Sequence, residues 1–369
     1  MYSAGLLKFW FTSILYPSLH HSLKLFLPTL LVFLTCLLGC SQQVEKAGPE
    51  LTELTGQALG TTWTVKVLTE RFIDQRDLRH SILKTLDDYD KIFSHWRPDS
   101  ELYQFNSAIT TSAISIHPEL LELLKHSQWM YRETTGAFDP TVAPLVNLWG
   151  FGPVGKTRST IPSENQIKES LSLSGIDKLE ILPKGMVRKK HSTLQLDFSA
   201  SAKGEIIDKV CKLLDRWGFK NYLVEIGGEI RAEGRGRKGK GWVVGLEDGD
   251  ALNANGMVSV PLRNYAVATS GSYRLNKPNP DSNRSASHLI DPRTGRPIEH
   301  DLIAVNAFAP TARDADAWAT ALMILGPEEG MEIAEKMDMV ARFCLSKDDE
   351  VLILKSTAYD RIFTKLTPN

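Results

Sequence analysis

The sequence predicts an α+β protein of several mixed sheets flanked by helices. Three observations carry that expectation. Apolar residues recur at three- and four-residue spacing in two segments, which marks amphipathic helices. Short runs rich in β-branched and aromatic residues recur through the rest of the chain. The two kinds of segment do not alternate regularly, so a doubly wound parallel sheet is not indicated.

Taken in order, the first element is a leader. Lys8 and Lys24 are the only charges before an apolar run from Leu25 to Leu38, which ends in Leu37-Leu38-Gly39-Cys40. The run is too short to span a bilayer, and small residues precede the cysteine. This resembles a bacterial lipoprotein signal peptide, whose cysteine is lipidated after cleavage. A buried apolar helix, or a membrane anchor starting at Leu6, is the alternative. The expected organisation is a signal peptide over 1–39, a polar tether over 40–54 and a folded domain over 55–369. Such a chain is exported and anchored by lipid at Cys40, facing the periplasm.

Leu78, Ile82, Leu86, Tyr89 and Phe93 then set one helix. Leu120, Leu123, Leu124 and Tyr131 set another, with Pro118 at its start. Strands are expected at "TTWTVKVL" (61–68), "LQLDF" (194–198), "NYLVEI" (221–226), "WVVGL" (242–246), "NYAVAT" (264–269), "AVNAFA" (304–309) and "VLILK" (351–355). The glycine-rich basic segment "EGRGRKGKGW" (233–242) reads as a solvated hairpin loop.

A formal net charge of −1 argues against nucleic acid as the main partner. Of four cysteines, Cys36 falls in the leader and Cys40 at its end, leaving Cys211 and Cys344. Two thiols so far apart make no disulfide framework and no metal site.

Chemistry-bearing residues gather in a few places. In "DADAWATALMILG" (314–326), a helix with Ala315, Trp318, Leu322 and Leu325 toward the core puts Asp316 and Thr320 one turn apart on one face. A carboxylate and a hydroxyl so placed are hard oxygen ligands suited to Mg²⁺. The same spacing also suits a back-bonded threonine and a capping aspartate. "LDFSASAKGEIID" (196–208) reads as a strand ending at Asp197-Phe198-Ser199, a small-residue turn, and a helix from Lys203. Its first amides and the lysine suit a pyrophosphate; Ser199 or Ser201 as an ordinary cap is the alternative. In "ATSGSYR" (268–274), Thr269, Ser270, Gly271 and Ser272 follow a strand and offer hydroxyls and amides to a phosphate. In "SHLIDPRTGRP" (287–297), His288 before a turn is a candidate proton acceptor. "EIGGEI" (225–230) adds a glycine pair, and "TTGAFDPTVAPLVNLWGFGP" (134–153) surrounds Asp139 with aromatics. A flat ring system carrying a pyrophosphate, such as FAD, would use all of these. No Rossmann glycine fingerprint opens a βαβ unit, so the usual redox mode of FAD binding is not indicated.

The chain resembles the ApbE family of FAD:protein FMN transferases. The resemblance rests on "LGTTWTV" (59–65), "FSHWRPDSELYQFN" (93–106), "GAFDPTVAPLVNLWGFGP" (136–153), "LDFSASAKG" (196–204), "YLVEIGGEI" (222–230), "ATSGSYR", "SHLIDPRTGRPI" (287–298) and "DADAWATALMILG", in family order. It implies an ApbE-like fold with an FAD cleft between two subdomains. It implies cleavage of FAD at its pyrophosphate and transfer of FMN to a threonine of another exported protein, with AMP released. By resemblance Asp316, Thr320 and the carbonyl of Ala200 hold Mg²⁺. Leu59, Trp96, Ala137, Phe138, Asp139, Asp197, Lys203 and Ile290 line the nucleotide site, with Asp139 accepting hydrogen bonds from it. His288 is the candidate base. The implied acceptors are exported subunits of sodium-pumping NADH:quinone reductase or related complexes. A Mg²⁺-dependent FAD pyrophosphatase, or a flavin-binding lipoprotein without chemistry, remains the alternative. Two positions depart from the family pattern: Glu205 stands where an aromatic is frequent, and Ala319 where some relatives carry a second carboxylate.

Overall fold

Eight strands make one antiparallel sheet in which order along the chain and order across the sheet coincide. They are Glu50–Ala58, Thr61–Thr69, Tyr222–Ile226, Glu229–Glu233, Tyr265–Gly271, Leu302–Ala309, Val340–Lys347 and Glu350–Lys355. The computed structural model describes residues 48–154, 161–246, 258–272, 276–277, 286–347 and 350–363. The expected signal peptide and Cys40 lie outside the described residues, as do Tyr273 and Arg274 of "ATSGSYR".

The period-two pattern of a strand sorts side chains onto the two faces of this sheet. Tyr222, Val224, Ile226, Ala266, Ala268, Val305 and Ala307 join the larger core. The helices Gln75–Phe93, Ala202–Arg216 and Ala312–Lys336 supply the other side of that core. Leu223, Val267 and Phe308 point the other way, under the Trp242–Leu246 and Val258–Leu262 hairpin and the Thr357–Phe363 helix. Helices segregated from an antiparallel sheet are the α+β arrangement.

Both helices expected from periodicity form. Gln75–Phe93 is capped by Asp74, whose carboxylate accepts from the amides of Arg76 and Asp77, and it buries Leu78, Ile82, Leu86 and Phe93. Pro118–Glu133 begins at Pro118, where a missing N–H costs nothing. Long insertions carry these helices and the site loops: residues 70–221 separate the second and third strands, and 272–301 the fifth and sixth.

Several expectations are corrected. The tether was expected to run to 54, but a strand starts at Glu50 and pairs with Thr69, so residues 50–54 belong to the sheet. Pro49–Asn369 forms one compact unit. "LQLDF" joins no ladder: the Asn106 side chain donates to Leu196 O and accepts from Leu196 N, both at 2.8 Å, taking the place of a neighbouring strand. "EGRGRKGKGW" is not a hairpin loop, because it links the main sheet to the separate Trp242–Leu262 hairpin. Thr269, Ser270 and Gly271 lie inside a strand rather than after it.

Candidate active site

The site begins at one end of the sheet, where two tight turns lie side by side. Leu59 and Gly60 join the first two strands with φ of 56° and 72°, and Gly227 and Gly228 join the next two with 63° and 102°. Two consecutive positive φ values give the hairpin turn whose twist matches the strands. Glycine accepts that geometry freely; Leu59 does not, and a branched side chain held there is strained. The second turn returns the chain so that Glu229 faces inward, only 3% exposed.

Opposite these turns the N-termini of two helices meet. A Cβ at Gly204 would lie 2.2 Å from the carbonyl oxygen of Ala312, so only glycine allows the approach. The contact brings Asp316 beneath the first helix, where Oδ2 accepts from the Gly204 N–H at 3.0 Å. One turn along, the Thr320 hydroxyl lies 3.1 Å from that of Ser270 on the sheet. Ser201 occupies the cap position of the Ala202–Arg216 helix, yet its side chain makes no capping bond. Lys203 projects from that first turn and its Nζ donates to Glu229 Oε1 at 2.6 Å.

The aromatic-rich segment supplies a wall. Thr134 closes the preceding helix: its hydroxyl donates to Met130 O and accepts from the Phe138 N–H. Thr135 and Gly136 then turn through positive φ and bury Ala137 and Phe138. Asp139 caps the short Pro140–Val142 turn. Its Oδ1 accepts from the amide and hydroxyl of Thr141, and its Oδ2 from the amide of Ile176. The Asp139 carboxyl, expected to accept from a nucleotide, lines the cavity and accepts from three protein donors. Burial pushes its pKa up to about 6, against the lowering effect of those donors. Farther on, the indole of Trp149 donates to Gly295 O at 2.8 Å, and the Phe151 ring meets the edge of His288 at 6.3 Å between centroids. The aromatic-rich segment thus clasps the turn over residues 291–295, in which the Arg293 guanidinium is paired with Asp291 and Glu329.

These parts enclose one cavity of about 450 Å³. Leu59, Trp96, Ala137, Phe138, Asp139, Asp197, Ala200, Lys203, His288, Ile290, Asp316 and Thr320 all line it. Residues over 250 positions apart in sequence are thereby brought to one place. Ser270, expected to offer its hydroxyl to a phosphate, lines it as well; Glu229, Phe151 and His95 line it too and were not singled out. The glycine pair before Glu229 was a usable signal, because a two-residue turn brings the next side chain back to the same end of the sheet. His95 carried none.

Carboxylates outnumber cations on this wall. Asp197, Glu229 and Asp316 face the cavity with Lys203 as the cationic side chain among its lining residues. One Glu229 oxygen is buried without a hydrogen-bond partner. A polyanion would meet repulsion here unless a divalent cation accompanied it. The carboxylate of Asp316, the hydroxyl of Thr320 and the adjoining Ala200 backbone are hard oxygen donors that fit Mg²⁺ with the rest of its shell left to water or ligand.

An antiparallel sheet under three helices, with an acidic, partly aromatic cavity at one end, defines a nucleotide-sized binding site of enzyme type. The model of the ApbE family matches residues 59–343, and the chain belongs to that family. It is 34% identical over 319 residues to the FAD:protein FMN transferase of Escherichia coli (strain K12), covering 85% of this chain and 90% of that protein. The Vibrio cholerae FAD:protein FMN transferase is 33% identical over 336 residues, covering 91% and 98%. Among solved structures, the Pseudomonas stutzeri flavinyl transferase ApbE superposes with a TM-score of 0.79 at 34% identity, covering 86% of this chain and 98% of that one. The flavin transferase ApbE from Vibrio cholerae superposes with a TM-score of 0.78 at 33% identity, covering 85% and 99%.

Proposed function

We propose that this chain is an FAD:protein FMN transferase that cleaves FAD at the pyrophosphate, attaches FMN to a threonine of an exported protein and releases AMP. The observation that carries the reading is the single cavity that gathers a lysine, a histidine, a carboxylate–hydroxyl pair and an apolar wall.

Phosphoryl transfer asks a protein mainly for positioning and charge neutralisation. Leu59, Phe138 and Ile290 offer apolar surface to a ring system, and Trp96 an aromatic face at the rim. Lys203, held by Glu229, offers an ammonium to phosphate oxygens. Asp316, Thr320 and the Ala200 carbonyl would hold Mg²⁺, which when bound neutralises the pyrophosphate and the departing phosphate. Asp316 is oriented by the Gly204 amide, which donates to its Oδ2. His288, steadied by Phe151, would take the proton of the acceptor hydroxyl, which becomes nucleophilic only as it loses that proton. FMN then forms a phosphoester to the threonine as the bond to AMP breaks.

The same reading makes the chain a lipoprotein anchored through Cys40 on the periplasmic side. Its acceptors are exported subunits of electron-transfer complexes such as sodium-pumping NADH:quinone reductase. The test is to incubate the chain from about Gln42 onward with FAD, Mg²⁺ and a threonine-bearing acceptor domain, then read the acceptor by intact mass. An FMN-sized gain that EDTA and Asp316→Ala abolish supports the transferase. AMP and free FMN without an adduct would replace it with a pyrophosphatase.

A further inference from the structure

We infer that His95 is a ligand-contacting residue of this site, one that accepts a hydrogen bond from an N–H on the edge of a heteroaromatic ring. The inference rests on the flavin-dinucleotide reading above and names one part of its recognition.

His95 follows the Gln75–Phe93 helix and is nine-tenths buried. Its Nδ1 lies 3.6 Å from Asp197 Oδ1. Asp197 is itself fixed: Oδ1 accepts from the Ser199 N–H at 2.8 Å, and its own amide donates to Pro140 O at 2.7 Å. Among the described residues no group hydrogen-bonds the other ring nitrogen, Nε2, and that atom is not one of the sealed, unpartnered ones. The side chain lines both the main cavity and a smaller one of about 80 Å³ that shares His95, Val146 and Asp197 with it. Nε2 is therefore an accessible polar atom of a largely buried side chain on the cavity wall, the kind of group a ligand completes.

Its chemistry follows from Asp197. Of the two neutral tautomers, a carboxylate beside Nδ1 selects the one with the proton on that nitrogen, which leaves Nε2 a lone pair. A lone pair on a cavity wall selects a donor. The Trp96 ring lies 5.3 Å from the imidazole between centroids and presents an aromatic face at the rim, so the donor belongs to a flat ring. In FAD two groups qualify, the imide N–H of the flavin and the exocyclic amine of adenine. They share the chemistry, and separate halves of the molecule tell them apart.

The experiment titrates the chain with FAD, FMN and ADP, the last by competition against flavin fluorescence, in wild type, His95→Phe and His95→Gln. Phenylalanine keeps the ring without the nitrogen; glutamine restores an acceptor oxygen. His95→Phe is expected to weaken FAD about tenfold or more, with the same loss for FMN if the flavin is read, or for ADP if adenine is. His95→Gln is expected to recover much of that loss. A measurement on the unmodified chain is independent of folding: methylating the flavin imide nitrogen, or dimethylating the adenine amine so that no N–H remains, should weaken one ligand by a similar factor. Unchanged affinity of His95→Phe for all three ligands, or of wild type for both methylated ligands, would overturn the inference. A wild-type chain that binds none of the three overturns the flavin-dinucleotide reading instead.

Discussion

The backbone N–H of Gly204 donates to Oδ2 of Asp316 at 3.0 Å, across the meeting of two helix N-termini. Their separation in sequence is 112 residues, so this bond exists only because the helices touch. Gly204→Ala would set a Cβ 2.2 Å from the Ala312 carbonyl oxygen, which is backbone and cannot swing aside. Overpacking of this kind costs about 1–3 kcal/mol. The variant should unfold at lower temperature and require more Mg²⁺ for half-maximal FMN transfer, because Asp316 moves with its helix. A melting curve and a Mg²⁺ titration check both; a stable variant with wild-type Mg²⁺ demand would refute the coupling.

Leu59 stands at φ 56° where a glycine would be unstrained. Leu59→Gly should therefore leave the melting temperature unchanged or raise it, as relief of strain offsets the freedom glycine adds to the unfolded chain. FAD binding should weaken, since the apolar side chain on the cavity wall is gone. Fluorescence titration beside a thermal melt separates the effects. A loss of stability without loss of affinity would show that Leu59 serves the hairpin alone.

Phe151 meets the edge of His288, and Trp149 ties the same loop to Gly295. Phe151→Leu should lower kcat for FMN transfer about tenfold with KM for FAD nearly unchanged, an effect on the order of 1 kcal/mol, as measured for such ring contacts. Phe151→Tyr should restore the rate. Equal falls in kcat for both variants would mean that the ring contact does not orient the histidine.

Burial holds the Asp139 carboxyl up at about 6, above its ordinary 3.8. Between those values the folded chain binds more protons at this carboxyl than the unfolded one, so the stability linked to Asp139 is fully present below about pH 4 and is lost as pH rises through 6. The contribution is on the order of 3 kcal/mol at most. Asp139→Asn should flatten this slope in denaturant midpoints measured from pH 4 to 7. An identical slope in wild type and variant would assign the titration elsewhere.

Much of this protein was legible in one dimension. The helix Gln75–Phe93 is written in the spacing of Leu78, Ile82, Leu86 and Phe93, and the one-turn separation of Asp316 and Thr320 places both on one helical face. Six of the seven expected strands form ladders, because β-branched runs of that length pack well on a pleated surface. The exception, "LQLDF", has the composition of a strand, but its partner is the side chain of Asn106, which no strand pattern announces.

The sequence by itself determined the α+β class, the family resemblance and the residue types available to the site, since periodicity and motif order are local properties of a chain. Tertiary structure alone decided which of those groups face the cavity and which are held by the protein. Asp139 and Asp197 are both aspartates on one wall, yet the first has its oxygens engaged by three protein donors and the second stands beside His95. Hydrogen-bond partners and desolvation come from residues distant in sequence, and they exist only once the sheet and its helices have met.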